Sequence, residues 1–216
     1  MRFFDISEPL LDSTRQMFKD LENDTRDNKI DLGIGIYRDE YGLAPVFKAV
    51  KSAEKFLFNN ETSKSYKTPA GNHQYCEKIL DLVLGKQILE ERTNKIGSIQ
   101  IPGAGSGLRI AGELIKRNCK NKHISIPDPT WGQQTFMFEK SGLKITKHSY
   151  YDKDNNFLNF DHMINDLNKL KSGDSLLLHG CCHNPTGADL SVEQWEQVAQ
   201  VCLKKGILPF IDLVYQ

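Results

Sequence analysis

The chain has 216 residues, of which 39% are hydrophobic and 26% charged, a composition typical of a globular protein with one large domain or slightly more. Its 28 lysines and arginines balance its 28 aspartates and glutamates, which argues against nucleic acid and membrane surfaces as partners. The start has no apolar core of signal-peptide length, and no later segment reaches about 18 uncharged apolar residues. The sequence therefore predicts a soluble, cytoplasmic protein.

The amino-terminal part of the chain is predicted to be mainly helical. Helical periodicity covers residues 8–22, 48–58 and 73–84, and a short extended segment with two glycines covers residues 31–37. No internal repeat, low-complexity tract or long flexible linker separates this part from the rest. We expect an arm and a helical layer packed on the main domain.

From about residue 98, short β-rich runs alternate with helical stretches. The predicted strands cover residues 98–102, 123–126, 144–150, 175–179 and 207–213. Because a dozen or more residues separate successive strands, the connections are crossovers, and the expected fold is α/β with a mainly parallel sheet and helices on both faces.

The last predicted helix has the clearest end signals. Ser191 followed by Gln194 forms a capping box, and Gly206 ends the helix after two lysines. Its apolar stripe consists of Val192, Trp195, Val198, Ala199 and Cys202. The run after Gly206 is apolar on both faces except for Asp212, which predicts a buried strand with a charge at its carboxyl end.

Five features follow the predicted strands, and each has a structural alternative. The segment 103–107 has three glycines before a helix expected to start near Leu108, and it suits either an anion cradle or a plain tight turn. It is not the dinucleotide-binding fingerprint, because Leu108 occupies the position of the third glycine, although Asp128 could supply the acidic residue of that motif. Trp131 suits either a flat ligand or the core.

The other candidates lie near the end of the chain. Asn184 before Pro185 suits either a ligand contact or a turn. Asp212 at the end of an apolar strand requires a cation or a protonated ring nitrogen, since an unpaired buried carboxylate costs several kcal/mol. Tyr215 is expected in the same crevice. Pyridoxal phosphate requires an anion site, a partner for its ring, a hydrogen-bond donor and an acid. Together, these candidates match that set.

Cysteine chemistry gives weaker signals. The five cysteines are Cys76, Cys119, Cys181, Cys182 and Cys202. Their odd number and irregular spacing indicate reduced thiols. Cys181, Cys182 and His183 could suggest a metal cluster, but adjacent cysteines do not easily chelate one zinc ion together. Packing in the core is the favoured interpretation, and no metal site is predicted.

From about residue 5 to its end, the sequence resembles the aspartate and aromatic aminotransferase family of fold-type-I pyridoxal phosphate enzymes. The resemblance rests on residues 32–37 (LGIGIY), 127–131 (PDPTW), 179–187 (HGCCHNPTG) and 212–216 (DLVYQ). It implies a truncated large domain of the pyridoxal phosphate transferase type. Residues 1–45 would then be an arm and part of the small domain, and residues 46–216 the first part of the large domain.

The resemblance also implies roles for individual residues. The phosphate loop would be Gly103, Ala104, Gly105 and Ser106. Trp131 would stack on the cofactor ring and touch the substrate, Asn184 would bind the ring oxygen and the substrate, and Tyr215 would bond the ring oxygen. Asp212 would hold the ring nitrogen protonated. Gly35 would contact the substrate carboxylate, and Tyr66 would reach the cofactor phosphate of the partner in a homodimer.

Two departures from the family pattern qualify these expectations. The family usually has a hydroxyl at the position of Gly105, whereas here the hydroxyl is on Ser106. The family's Schiff-base lysine and two substrate- and phosphate-binding arginines lie beyond Tyr215, so this chain is expected to contain no catalytic residue and to be inactive alone.

Two functions remain open at this stage. One is an aminotransferase that moves the amino group of aspartate or an aromatic amino acid to a 2-oxo acid such as 2-oxoglutarate. The other is a non-catalytic remnant or binding module with the same fold.

Overall fold

The computed structural model of the protein describes residues 13–31, 33, 35–66 and 68–215. These residues form two units, one up to Tyr66 and one from position 68 onward. The first unit contains helices α1 (Ser13–Asn23) and α2 (Lys48–Asn60). The predicted start of the first helix at residue 8 lies outside the described residues. No helix in the described ranges is long and apolar enough to cross a membrane.

The second unit contains the sheet and the remaining helices. Its α-helices are α3 (His73–Glu91), α4 (Ala104–Asn118), α5 (Gly132–Lys140), α6 (Phe160–Leu167) and α7 (Val192–Lys205). Its strands are β1 (His123–Asp128), β2 (Lys144–Ser149), β3 (Tyr151–Asp152), β4 (Phe157–Leu158), β5 (Ser175–His179) and β6 (Leu208–Asp212). Helix α3 extends beyond its predicted end, with a break at Gly85, whose φ of 74° is non-helical.

The main sheet has four strands in the order β2-β1-β5-β6, and all three neighbouring pairs are parallel. Strands β3 and β4 form a separate antiparallel hairpin that the sequence analysis missed. In the β5–β6 ladder His179 is the partner of Asp212, so these two residues lie side by side at the carboxyl edge. The predicted α/β class with a mainly parallel sheet is confirmed.

The core lies on both faces of the sheet. Successive side chains of a strand point to opposite faces, and in β5 Leu176, Leu177 and Leu178 are all buried. Leu177 belongs to the cluster formed with α4 and α5, whereas Leu176 and Leu178 belong to the cluster formed with α6 and α7. The helices therefore cover both faces, as predicted.

The predicted strand at residues 98–102 is wrong. This segment has no strand assignment, and no strand among the described residues pairs with it. Instead the Gln100 N–H donates to the Ala70 carbonyl at 2.9 Å. A run of β-forming residues becomes a strand only where a neighbouring strand satisfies its peptide groups.

The predicted start of α4 near Leu108 is also wrong, because the helix begins at Ala104. The glycine-rich segment is its first turn, preceded by Gly103 at φ 82°. Gly107 lies so close to Ile101 that a Cβ there would be 2.5 Å from the Ile101 Cδ1 atom. A larger residue at this position would therefore require the end of the Ile101 side chain to move.

Strand β6 is not buried on both sides, contrary to prediction. Leu208 is 46% exposed and Ile211 52% exposed. Of the described strands only β5 pairs with β6, so the outer edge of β6 is open.

Helix α7 has the predicted ends. The Ser191 side chain accepts from the Gln194 N–H while the Gln194 side chain accepts from the Ser191 N–H, and Gly206 is left-handed. The predicted apolar stripe is only partly correct. Val198 and Cys202 are buried and Trp195 is half-buried, but Val192 is 71% exposed and Ala199 is exposed as well.

Phe138 provides a test of the core. Its side chain is fully buried in α5 and packs edge-on against Phe210, with ring centroids 5.7 Å apart. We expect Phe138→Ala to lower the free energy of unfolding by about 3–5 kcal/mol, because it leaves a cavity. Phe136→Ala on the exposed side of the same helix should cost less than about 1 kcal/mol. Urea unfolding measures both, and equal losses would contradict this description of the core.

Candidate functional site

A cavity with about 430 Å³ of empty space opens at the carboxyl ends of the parallel strands. It is lined by Ala104, Trp131, Gln134, His179, Cys181, Asn184, Asp212, Val214 and Tyr215. Open α/β sheets bind ligands at this edge. Of the residues singled out in the sequence, the structure brings together Ala104, Trp131, Asn184, Asp212 and Tyr215.

One wall of the cavity is the amino-terminal end of α4. Gly103 precedes the helix and has no side chain to cap it, and the first helical bond is from the Gly107 N–H to the Gly103 carbonyl, at 3.3 Å. The N–H groups of Ala104, Gly105 and Ser106 are thus without helical partners, a favourable arrangement for an anion. Gly103, Gly105 and Ser106 do not themselves line the cavity. The Ser106 hydroxyl donates to the Pro102 carbonyl at 3.0 Å.

Trp131 lies at the rim, immediately before α5. Its 37% exposure excludes the alternative of a buried core tryptophan. Gln134 lies one turn further along, with its side chain only 1% exposed. The start of α5 therefore places the Trp131 ring at the cavity rim and the Gln134 amide in the interior.

Asp212 ends β6 at the floor of the cavity. Its Oδ2 atom accepts a hydrogen bond from the Gln134 Nε2 atom at 2.6 Å. The sequence predicts a cation or a ring nitrogen opposite this carboxylate and does not indicate the contact with Gln134. The amide satisfies one carboxylate oxygen without neutralising its charge.

The loop after β5 is held by hydrogen bonds to the side chain of Asp189. The Asp189 carboxylate accepts from the backbone N–H groups of Cys182 and His183 at 2.9 and 3.1 Å. This arrangement fixes the loop that presents Asn184, whose Nδ2 atom lies 3.4 Å from the Tyr215 hydroxyl. Asp189 was not identified from the sequence.

Part of the expectation for the cysteine-containing run is wrong. His183 packs in the interior as predicted, but Cys182 is exposed and Cys181 half-buried, because the loop turns outward at Cys182 (φ 47°). All five cysteines are free thiols. In the described ranges no group of three or more His, Cys, Asp or Glu side chains has a metal-binding arrangement.

Beneath the cavity lie aromatic and histidine side chains that the sequence analysis did not connect. The Tyr150 ring stacks on His183 with centroids 3.9 Å apart, and its hydroxyl donates to the Ala188 carbonyl at 2.6 Å. His179 lies 4.5 Å from His183, centroid to centroid. Burial raises the pKa of the Tyr150 phenol. These contacts pack the interior below the cavity with aromatic and imidazole rings.

Burial also lowers the pKa of the histidines near the site. It brings the pKa of His148 to about 3 and that of His183 to about 4, and it lowers the pKa of His179 despite the nearby carboxylates of Asp212 and Asp189. These imidazoles are neutral at pH 7. Asp212 is therefore next to neutral hydrogen-bonding groups.

Gly35 and Tyr66 belong to the first unit, which is described by itself. Tyr66 is 92% exposed there. Their expected roles at the cofactor and substrate stay predictions.

The site and the fold together define the class of protein. At the carboxyl edge of the parallel sheet lie an open helix end, an exposed aromatic ring and a carboxylate. This combination suits a flat, anionic ligand. Residues 27–216 match the model of the family described as "Aminotransferase class I and II", and the chain belongs to that family.

Relatives of known name agree with this assignment. The chain is 42% identical over 195 residues to the aspartate aminotransferase of Haemophilus influenzae, covering 90% of this chain and 49% of the relative. It is 39% identical over 197 residues to the aromatic-amino-acid aminotransferase of Pseudomonas aeruginosa, covering 90% and 48%. The chain thus spans about half the length of these relatives.

Solved structures have the same fold. An aromatic amino acid aminotransferase from Burkholderia cenocepacia superimposes with a TM-score of 0.93 at 33% identity, over 99% of this chain and 54% of that one. An aromatic-amino-acid aminotransferase from Burkholderia pseudomallei, covalently bound to pyridoxal phosphate, gives a TM-score of 0.93 at 31% identity, over 100% and 54%.

The buried histidines predict how stability depends on pH. Since the folded-state pKa values of His148 and His183 lie below the ordinary value of 6.5, the unfolded chain binds more protons between pH 7 and 5. Each should therefore lower the free energy of unfolding by about 2 kcal/mol over this range. His148→Gln should remove the part due to His148, about 2 kcal/mol, whereas His162→Gln at an exposed position should not. Urea unfolding at pH 7 and 5 measures the difference, and an unchanged pH dependence in His148→Gln would refute the assignment.

Proposed function

We propose that this protein is a pyridoxal phosphate-dependent aminotransferase that transfers the amino group of aspartate or an aromatic amino acid to a 2-oxo acid such as 2-oxoglutarate. The family membership supports the reaction class, and the names of the relatives support both substrate groups. The observation that carries the proposal is the position of Asp212, a carboxylate at the cavity floor that is hydrogen-bonded to the Gln134 amide.

The residues around the cavity fit the cofactor. The open N–H groups of α4 suit a phosphate, and the exposed face of Trp131 suits a flat ring. The side chains of Asn184 and Tyr215, 3.4 Å apart, can both reach a ring oxygen. Among the described residues no hydrogen bond reaches the Asp212 Oδ1 atom, so this atom is available for a ring nitrogen.

Pyridoxal phosphate, when bound, supplies an electron sink that stabilises negative charge at the α-carbon of an amino acid. The Asp212 carboxylate would keep the ring nitrogen protonated, because an adjacent negative charge favours the protonated form of a base. Asn184 and Tyr215 would fix the ring in its plane. Trp131 would shield one face from water.

Further parts of the proposal rest on the resemblance to the family. They are a homodimer with Tyr66 at the partner's cofactor and the contact of Gly35 with the substrate carboxylate. The cytoplasmic location expected from the sequence composition is also part of the proposal. The division into an arm with part of a small domain, residues 1–45, and the first part of a large domain, residues 46–216, is also proposed.

A second candidate function is a binding module that holds the cofactor without catalysis. One observation favours it: the described residues that line the cavity include no lysine. Transamination requires a lysine that bonds to the cofactor and moves a proton at the substrate. By the resemblance that lysine lies beyond Tyr215.

Cofactor binding by the 216-residue chain tests both candidates. We expect pyridoxal phosphate to bind at a single site and to quench Trp131 fluorescence, since Trp131 lies at the cavity rim. Trp131→Phe and Trp195→Phe separate the signals of the two tryptophans. Absence of saturable binding would overturn the proposed cofactor.

Borohydride reduction of the loaded chain tests the absence of a lysine from the cavity wall. We expect no single lysine to carry a stoichiometric phosphopyridoxyl group, because no lysine among the described residues lines the cavity. Peptide mapping gives the answer. One fully modified lysine would refute this expectation.

Asp212 variants test the mechanism in a chimera with the carboxyl-terminal half of the Haemophilus influenzae relative. Breaking a buried charge pair costs about 3–5 kcal/mol, so Asp212→Ala should lower the transamination rate by on the order of a hundredfold to several thousandfold. Asp212→Glu should be milder because it retains the charge. Asn184→Ala should cost less than Asp212→Ala because it removes no charge. Near wild-type turnover in Asp212→Ala would rule out its role as the acid partner.

A further inference from the structure

The side chain of Gln134 connects three polar groups in the interior below the cavity. It is 1% exposed, and its amide contacts the hydroxyl of Thr130, the ring of His179 and the carboxylate of Asp212. Thr130 is four residues away in sequence, but His179 and Asp212 are 45 and 78 residues away. The amide therefore links α5 to the ends of β5 and β6.

The proton on His179 follows from its other neighbour. The backbone N–H of Asn184 donates to the His179 Nδ1 atom at 3.0 Å. Because a backbone N–H can only donate, Nδ1 must carry a lone pair, and the proton of the neutral ring is on Nε2.

This tautomer determines which way the Gln134 amide points. The His179 Nε2 atom lies 3.0 Å from the Gln134 Oε1 atom and 2.9 Å from its Nε2 atom. With a proton on the ring nitrogen, only the contact to Oε1 is a hydrogen bond. The Thr130 hydroxyl donates to the same oxygen. The amide nitrogen is left to donate to Asp212.

We propose that Gln134 is a positioning residue for Asp212, in a one-way chain of hydrogen bonds that runs from the Asn184 backbone through His179 and Gln134 to the Asp212 carboxylate. As a role at the cofactor, this inference rests on the proposed function. These hydrogen bonds fix Asn184 and Asp212 relative to each other, although Asn184 lies in the loop after β5 and Asp212 lies at the end of β6. An amide neither gains nor loses a proton near neutral pH, so its bond to Asp212 persists wherever His179 is neutral.

This series of hydrogen bonds should be interrupted when His179 is protonated. The ring would then have an N–H on Nδ1 facing the N–H of Asn184, which places two donors against each other. The ionisable groups around this ring are Asp212, Asp189, His183 and His148. Burial lowers the pKa of His179, so the ring is neutral and the hydrogen bonds are intact at pH 7.

Nuclear magnetic resonance of the 216-residue chain without cofactor tests the hydrogen bonds directly. We expect ¹⁵N signals of His179 with Nε2 protonated and Nδ1 unprotonated. We also expect one downfield side-chain amide proton of Gln134 that moves upfield in Asp212→Ala. A proton on Nδ1, or a Gln134 amide signal that does not respond to Asp212→Ala, would overturn the inference.

Substitutions separate positioning from general packing. Gln134→Met keeps about the same size but removes the acceptor of the His179 Nε2 proton, so the ¹⁵N and ¹H signals of that group should shift relative to the unchanged chain. Gln133→Met is the matched control, since Gln133 is the exposed neighbour in the same helix. Equal His179 signals in the unchanged chain and in Gln134→Met would count against the proposed contact.

Cofactor affinity measures the effect on Asp212. Loss of a hydrogen bond to a charged group costs about 1.5–3 kcal/mol, so Gln134→Met should raise the Kd for pyridoxal phosphate about tenfold to a hundredfold, and Gln133→Met should leave it unchanged. Equal affinities in the two variants would overturn the positioning role. If the unchanged chain does not bind the cofactor, the proposed function fails, and the resonance measurements alone decide whether the hydrogen-bond chain exists.

Discussion

The structure depends on the burial of β5 on both faces. Its three leucines contribute to the two cores, and its neighbours on either side are β1 and β6. Because both ladders are parallel, the strands end together at one edge. Burial of this strand therefore stabilises the fold and also sets the position of every group at the floor of the cavity.

The site combines groups that differ in how they are supported. The N–H groups of α4 and the ring of Trp131 are positioned by the ends of helices, whereas Asn184 is positioned by a loop that Asp189 braces through two backbone N–H groups. Asp212 depends on a neighbouring strand and on one buried amide. Neutral histidines and Tyr150 fill the space below. Among the described residues that line the cavity, Asp212 supplies the only carboxylate.

The sequence predicted local elements well where their signals are local. The capping box of Ser191 and the left-handed Gly206 define α7 from residues within one turn, and the apolar run 175–179 is continuous. The segment 98–102 failed because a strand requires a partner, which no local pattern reveals. The glycines at 103–107 were expected before the helix, yet they form its first turn.

The candidate site was predictable only in part for the same reason. Trp131, Asn184, Asp212 and Tyr215 follow strands or turns that the sequence marks, and they meet because parallel strands end at one edge. Gln134 gave no such signal, since its partners are 45 and 78 residues away. Asp189 gave none either, because its role is to bind backbone N–H groups that become close only in the folded loop.

The open edge of β6 has a dynamic consequence for the site. A strand with one hydrogen-bonded neighbour opens locally at a lower free energy than a central strand. Asp212 is at the end of this strand, tied to β5 by the hydrogen bond from the Gly180 N–H to its carbonyl, at 2.8 Å. Trp131 and Asn184 are attached elsewhere and would stay in place during such an opening. Amide hydrogen exchange in the 216-residue chain would therefore detect a state in which half of the site stays in place while the wall formed by Asp212, Val214 and Tyr215 has moved away.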